Sequence, residues 1–111
     1  MCGIFAAFNI KGEYSRVRAI IVKMLKRIIH RGPDSTGITS YSENDKTEHH
    51  FICHQRLAIV DQSSQGEQPF FSDDGNICGV GNGEIYNHLK VIYNLLIYKF
   101  FVSKKNNPNK F

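Results

Sequence analysis

The sequence lacks an apolar run long enough to cross a membrane and has too few cysteines for a disulfide framework. Its longest apolar-rich stretch, residues 91–102, is interrupted by Asn94 and Lys99, whereas a transmembrane helix needs about 20 apolar residues. Three cysteines in 111 residues cannot all pair with one another. The N-terminus lacks the charged region and the full apolar region of a signal peptide. We therefore expect one small domain in the reduced cytosol, with no membrane partner.

A basic surface is also lacking, although the net charge is +4. Residues 1–84 carry nine Lys and Arg against ten Asp and Glu, a net charge of −1. Residues 85–111 carry five Lys and no acid, a net charge of +5. The positive charge therefore belongs to the tail, whereas a protein that binds nucleic acid concentrates Lys and Arg on one folded surface. We expect no nucleic-acid partner.

Hydrophobic periodicity predicts an α+β fold with a mostly antiparallel sheet. Residues 1–8 are short and apolar, which is typical of a buried strand, and Gly12 ends it. A helix with Ser15 as a candidate N-cap follows, and Gly32-Pro33 ends it. Its predicted core-facing stripe consists of Val17, Ile20, Ile21, Met24, Leu25, Ile28 and Ile29. Strand-like segments follow at residues 37–41, 48–53, 69–71 and 76–81, the last two around Asp73-Asp74-Gly75.

The composition changes after residue 88. Residues 89–111 contain no Gly and no acid, and consist mainly of Lys, Asn and apolar residues. Asn87 can cap a helix with Leu89, Ile92 and Leu96 roughly on one stripe. The Lys- and Asn-rich end cannot form much of a core, so we expect it to be disordered.

Cys2 is the first candidate for chemistry. Removal of Met1 would leave one residue that carries both a thiol and a free α-amine. A thiolate is a nucleophile, and an amine with a pKa near ~8 can accept its proton at neutral pH. The alternative is a small buried hydrophobic residue in a strand.

Three further residues can contribute to a site for a polar substrate. Asn82 and the Gly83 N–H can point at one developing oxyanion, although Asn-Gly is also a common turn. Arg56 can hold a carboxylate through two parallel hydrogen bonds, or form an ordinary ion pair. Glu84 can complement an ammonium group, or be a solvent-exposed loop residue.

A cluster of potential metal ligands occurs at Glu48, His49, His50, Cys53 and His54. Within a strand, His49 and Cys53 face away from His50 and His54, because successive side chains alternate. The sequence contains neither a paired CxxC nor a helical HxxxH motif that would complete a zinc site. We therefore predict no metal site.

Five segments together resemble, in order and spacing, the glutaminase domain of the glutamine-hydrolysing asparagine synthetases, and more broadly the class II glutamine amidotransferases. They are MCGIFAAF at 1–8, HRGPDSTG at 30–37, HQRLAIVD at 54–61, GEQP at 66–69 and NGEIYNH at 82–88. The resemblance covers residues 1–88 and leaves residues 89–111 as a divergent tail. It implies part of the four-layer αββα sandwich of the N-terminal-nucleophile hydrolases.

The resemblance also implies roles for individual residues. Cys2 would attack the side-chain amide of glutamine, with its own amine as base, and Asn82 and the Gly83 N–H would form the oxyanion hole. Arg56 would hold the substrate carboxylate, and Glu84 would lie beside the substrate amine. The main chain of Leu57, Ala58, Ile59 and Val60 would line the same pocket. Residues 31–34 match a family loop to which we assign a structural role.

The sequence also departs from the family pattern. The family uses a later Asp to bind the substrate amine, and no acid follows Glu84 here. The later strands of the sandwich and the synthetase domain, which binds ATP and Mg²⁺ and receives the ammonia, are not in this sequence. We therefore expect no cofactor in this segment and no activity from the 111-residue chain alone. An inactive fragment or pseudo-enzyme is the alternative to an enzyme module, and a homodimer is possible at family level.

Overall fold

A three-stranded antiparallel sheet forms the centre of the fold. The computed structural model describes residues 1–42 and 47–96. Strands β1 (Gly3–Lys11), β2 (Ser35–Ser42) and β3 (Glu48–Arg56) pair in the order β1-β3-β2. The structure therefore confirms the three predicted strands, and each extends further than the sequence pattern indicated.

Helix α1 (Tyr14–Lys26) packs on one face of this sheet. Its residues Val17, Ile21 and Leu25 form the core with Phe51 and Cys53 of β3. The spacing of four residues places the three helix side chains in one row facing the sheet. The predicted helix is confirmed, and Val17, Ile21 and Leu25 of its predicted apolar face lie in the core.

Three details of α1 differ from the prediction. The helix ends at Lys26, and a 3-10 turn (Ile29–Arg31) fills the rest of the predicted span up to Gly32-Pro33. The N-cap is Glu13 rather than Ser15, because Glu13 is extended and its carboxylate accepts the main-chain N–H groups of Ser15 and Arg16, each at 3.0 Å. In addition, Ile20, Met24 and Ile29 are each 46% exposed, so three of the seven residues of the predicted stripe lie outside the core. A sheet of three strands is only about as wide as one helix. The sheet therefore contacts a single row of α1 side chains and leaves the neighbouring apolar side chains exposed.

A short hairpin follows the sheet. Strands β4 (Phe70–Phe71) and β5 (Cys78–Gly79) pair antiparallel around the predicted turn. The Ser72 N–H donates to the Ile77 carbonyl at 2.9 Å. Both strands are shorter than the segments that the sequence predicted. Two 3-10 turns, Ile29–Arg31 and Ser64–Gly66, complete the ordered elements before the second helix.

Residues 88–96 are helical and form α2, as predicted. The helix begins after Asn87, whose carbonyl accepts the Val91 N–H at 3.1 Å. Its apolar side chains Leu89, Ile92 and Leu96 are all exposed. The predicted disorder of the end of the tail lies outside the described residues. Neither helix in the described part of the chain has the length and apolar character needed to span a bilayer.

The face of the sheet opposite α1, which we call the outer face, carries exposed apolar side chains. Ile4, Phe8 and Tyr41 are 44%, 59% and 68% exposed. The Phe8 and Tyr41 rings lie on either side of His50, with centroid distances of 6.1 and 5.9 Å. The described residues therefore form a small α+β unit with antiparallel sheets and two helices, compatible with part of an N-terminal-nucleophile fold.

The two faces of the sheet should respond differently to charge. We expect Phe8→Lys to raise the soluble fraction of the expressed 111-residue chain, because exposed apolar surface promotes association. Phe51→Lys should abolish soluble protein, because Phe51 is fully buried and an unpaired buried charge is strongly destabilising. Sedimentation of cell lysates measures both. Equal effects of the two substitutions would contradict the assignment of the faces.

Candidate active site

Cys2 lies at the end of the sheet where β1 begins and β3 ends. Gly3 pairs with Gln55, which places Cys2 beside the residues that follow β3. The Leu57 N–H donates to Cys2 Sγ at 3.3 Å, and Sγ lies 3.8 Å from the Leu57 carbonyl oxygen. Cys2 is a free, partly buried cysteine. Its sulfur is therefore held by the main chain of Leu57, the first residue of the segment predicted to line the substrate pocket.

A cleft of about 280 Å³ opens beside Cys2. Its lining includes Asn82, which lies 80 positions further along the chain, on the segment after β5. The other lining residues are Gly3, Ile4, Ile28, His30 and Arg31. The fold thus brings the candidate nucleophile and the candidate oxyanion donor to one concave surface.

The segment that carries Asn82 is held from one side. The Gly81 N–H donates to the Gln68 side-chain oxygen, Oε1, at 2.6 Å. Gly83 is exposed, and so is Glu84. Neither Gly83 nor Glu84 is among the residues that line the Cys2 cleft.

Arg56 is buried, with 8% of its surface exposed. Its guanidinium donates to the main-chain carbonyls of Ser63, at 2.7 Å, and of Asp61, and lies 4.0 Å from the Asp61 carboxylate. The hydrogen bond from Ser63 to the Asp61 carboxylate is the main reason that the pKa of this carboxyl is lowered, and Arg56 lowers it further. Arg56 therefore contacts the loop after β3 and is not among the residues that line the Cys2 cleft.

The loop of residues 57–60 is anchored at its beginning and exposed at its end. Leu57 contacts Cys2, and the Ala58 N–H donates to Asp34 Oδ2 at 2.7 Å. The side chains of Ile59 and Val60 are 73% and 90% exposed. The Asp34 N–H also donates to the Arg56 carbonyl at 3.0 Å.

Three residues near the site, Asp34, Gln68 and His30, carry no individual signal in the sequence. Asp34 holds the start of the loop of residues 57–60, and this agrees with the structural role assigned to residues 31–34. Gln68 holds Gly81, and His30 lines the cleft. All three belong to motif segments, and their positions in HRGPD and GEQP were the signal that could have identified them.

The potential metal ligands of β3 separate as the alternation predicted. His49 and Cys53 are buried on the α1 side, and the His49 ring bonds to Ser42 at 2.7 Å and to the Gly12 carbonyl at 2.9 Å. Burial raises the pKa of the Cys53 thiol to about 11, which leaves it unreactive at neutral pH. Within residues 1–42 and 47–96, no three His, Cys, Asp or Glu side chains could hold a metal ion together.

Comparison with known proteins decides the family. The family model of the glutamine amidotransferase domain matches residues 1–104. The chain belongs to the glutamine amidotransferase family. The match extends beyond residue 88, where the recognised motifs end. No solved structure matches this glutamine amidotransferase chain.

Within the glutamine amidotransferases, three curated relatives that match this chain are asparagine synthetases. The glutamine-hydrolysing nodule asparagine synthetase of Pisum sativum is 41% identical over 101 residues, which is 91% of this chain. Asparagine synthetase 2 of Oryza sativa subsp. japonica and asparagine synthetase 1 of Arabidopsis thaliana are 40% and 37% identical over 100 residues. The resemblance to the asparagine synthetases is therefore confirmed. The chain spans 16% of the length of each of these relatives.

Proposed function

We propose that this domain hydrolyses glutamine to glutamate and supplies ammonia for the synthesis of asparagine from aspartate. The observation that carries the proposal is the shared cleft of Cys2 and Asn82, which lie 80 positions apart in the sequence. The names of the relatives support glutamine as the substrate and asparagine as the product.

Cys2 acts as the nucleophile after Met1 is removed. Its Sγ attacks the side-chain amide carbon of glutamine, and the thiol proton passes to its own α-amine. The carbonyl electron pair moves to oxygen, where the Asn82 amide and the Gly83 N–H stabilise the negative charge. The amine then returns the proton to the leaving nitrogen, the C–N bond breaks and ammonia departs. Water hydrolyses the γ-glutamyl thioester to glutamate and restores the thiol.

Arg56 binds the α-carboxylate of glutamine in this proposal. A guanidinium has five N–H donors, and two of its groups are occupied by the carbonyls of Asp61 and Ser63. These two bonds turn the guanidinium toward the loop after β3 and away from the Cys2 cleft, so binding of the carboxylate requires this loop to change conformation. Glu84 lies beside the substrate amine, and the main chain of residues 57–60 lines the pocket.

The complete catalytic unit contains more than the described residues in this proposal. The domain adopts a four-layer αββα sandwich, in which a second sheet covers the outer face with its exposed Ile4, Phe8 and Tyr41. A synthetase domain of the same polypeptide binds ATP and Mg²⁺ and uses the ammonia, in the cytosol.

An inactive fragment or pseudo-enzyme is the second candidate. The apolar side chains exposed on the outer face support it, because exposed apolar surface promotes association with other chains. The absence of an acid after Glu84 supports it as well, because the family's contact to the substrate amine has no equivalent in this sequence. On this account the 111-residue chain releases no ammonia from glutamine.

A chimera tests the proposed function directly. It joins residues 1–88 of this chain to the remaining length of the Pisum sativum relative. Cys2→Ala should abolish glutamine-dependent asparagine formation in the chimera and leave ammonia-dependent formation intact, because the synthetase chemistry does not use this thiol. Cys78→Ala is the matched control, since Cys78 is also partly buried but lies outside the Cys2 cleft. Loss of both activities, or of neither, in Cys2→Ala would contradict the assignment.

Asn82→Ala tests the oxyanion role in the same chimera. Removal of one such donor typically lowers kcat by ~10²–10³. We expect a loss of this size in the kcat of glutamine hydrolysis, with KM changed only a few-fold, because the oxyanion forms in the transition state. Steady-state measurement of glutamate release gives both constants. A defect confined to KM would show that Asn82 binds the substrate and does not stabilise the transition state.

A further inference from the structure

Two side chains without a role in the chemistry above converge on Gly81, the residue before Asn82. Gln68 Oε1 accepts the Gly81 N–H at 2.6 Å. The His54 ring, only 1% exposed, also lies close to the backbone of Gly81. Neither ring nitrogen of His54 has a hydrogen-bond partner of normal geometry among the described residues. Of the two contacts, only the Gln68 hydrogen bond is therefore a directional one.

Gln68 is itself fixed against the central sheet. A Cβ placed on Gly37 of β2 would lie 1.7 Å from the Gln68 carbonyl oxygen and 3.0 Å from Cδ of Pro69. Only glycine therefore allows the main chain of Gln68 to approach β2 this closely. Gly37 itself pairs with His54 of β3. The main chain of Gln68 therefore packs directly against strand β2 where it pairs with β3.

Beyond the pairing of Gly79 in β5 and the contact of Gly81 with His54, the segment that Gln68 holds has little support. Three glycines, at positions 79, 81 and 83, surround Asn82, and each loses much conformational freedom when it is ordered. A Cβ built on any of the three would have no atom of another described residue within 4 Å, apart from its chain neighbours. No other part of the described chain therefore packs against the Cα positions of these glycines. Yet an oxyanion donor must be in position before the charge develops if it is to lower the barrier.

We infer that Gln68 is a positioning residue, which holds the main chain at Gly81 so that Asn82 and the Gly83 N–H point at the developing oxyanion. The inference rests on the proposed function and adds a residue to it. Gln68 does not contact the substrate in this account. Its loss should therefore lower kcat and leave the binding of glutamine nearly unchanged.

Two substitutions of similar length separate the hydrogen bond from simple packing. Gln68→Met retains the size of the side chain and removes the acceptor oxygen, whereas Gln68→Glu retains an acceptor. In the chimera, Gln68→Met should lower the kcat of glutamine hydrolysis about 10- to 100-fold, the range expected for a misplaced group. Its KM should stay within a few-fold of the parent, and Gln68→Glu should restore most of the kcat. Ammonia-dependent synthesis should be unchanged in both variants.

Amide hydrogen exchange in the full 111-residue chain provides a readout besides activity. The Gly81 amide should exchange faster in Gln68→Met than in the parent or in Gln68→Glu. Unchanged kcat in Gln68→Met, a defect in KM alone, or equal losses in Met and Glu variants would overturn the inference. If instead Cys2→Ala and Asn82→Ala leave glutamine hydrolysis intact, the proposed function fails and the role of Gln68 fails with it.

Discussion

The antiparallel register of β1 and β3 is the constraint on which the rest of the site depends. Gly3 pairs with Gln55, so Cys2 lies next to Leu57 and its sulfur receives the Leu57 N–H. The same register turns Phe51 and Cys53 toward α1. A shift of one residue would reverse both faces of the strand. The packing of the core and the position of the candidate nucleophile are therefore specified together.

Contacts around the end of β3 secure this register. A Cβ on Gly32 would lie 2.3 Å from the Gln55 carbonyl oxygen, so the chain after α1 approaches β3 as closely as only glycine allows. Asp34 then bonds to the main chain on both sides of Leu57, at Arg56 and Ala58. Within the motif at residues 30–37, Gly32 and Asp34 thus support the end of β3, whereas His30 and Arg31 line the Cys2 cleft. Gln68 and Gly37 provide a similar support for the segment that carries Asn82.

Local sequence signals were enough for the order and type of the elements. Alternation in β3, the row of Val17, Ile21 and Leu25, and the Asp73-Asp74-Gly75 turn each depend on neighbouring residues, and the structure has them where they were predicted. The N-cap was misassigned because Glu13 reaches the first turn only from the extended conformation that follows Gly12. The exposure of Ile20 and Met24 depends on the width of the sheet, which periodicity does not contain.

In the candidate site, the residues proposed to react could be predicted from the sequence. The contacts that hold those residues in place could not. Cys2 and Asn82 were identifiable from the chemistry of their side chains and from the family motifs. The inward contacts of Arg56 with Asp61 and Ser63, and the bond from Gly81 to Gln68, arise from loop conformations. Such contacts join residues with no periodic relation along the chain. Sequence patterns could therefore indicate which segments matter, but not which of their atoms meet.

The central claim is that Cys2, as the N-terminal residue, forms a covalent bond with the substrate. Mass spectrometry of the acid-quenched chimera after brief incubation with glutamine tests it most directly. The account predicts an N-terminal peptide that begins at Cys2, lacks Met1 and carries the mass of one γ-glutamyl group on its sulfur. Retention of Met1 in a chimera that hydrolyses glutamine, or the same adduct on Cys78 instead, would contradict it.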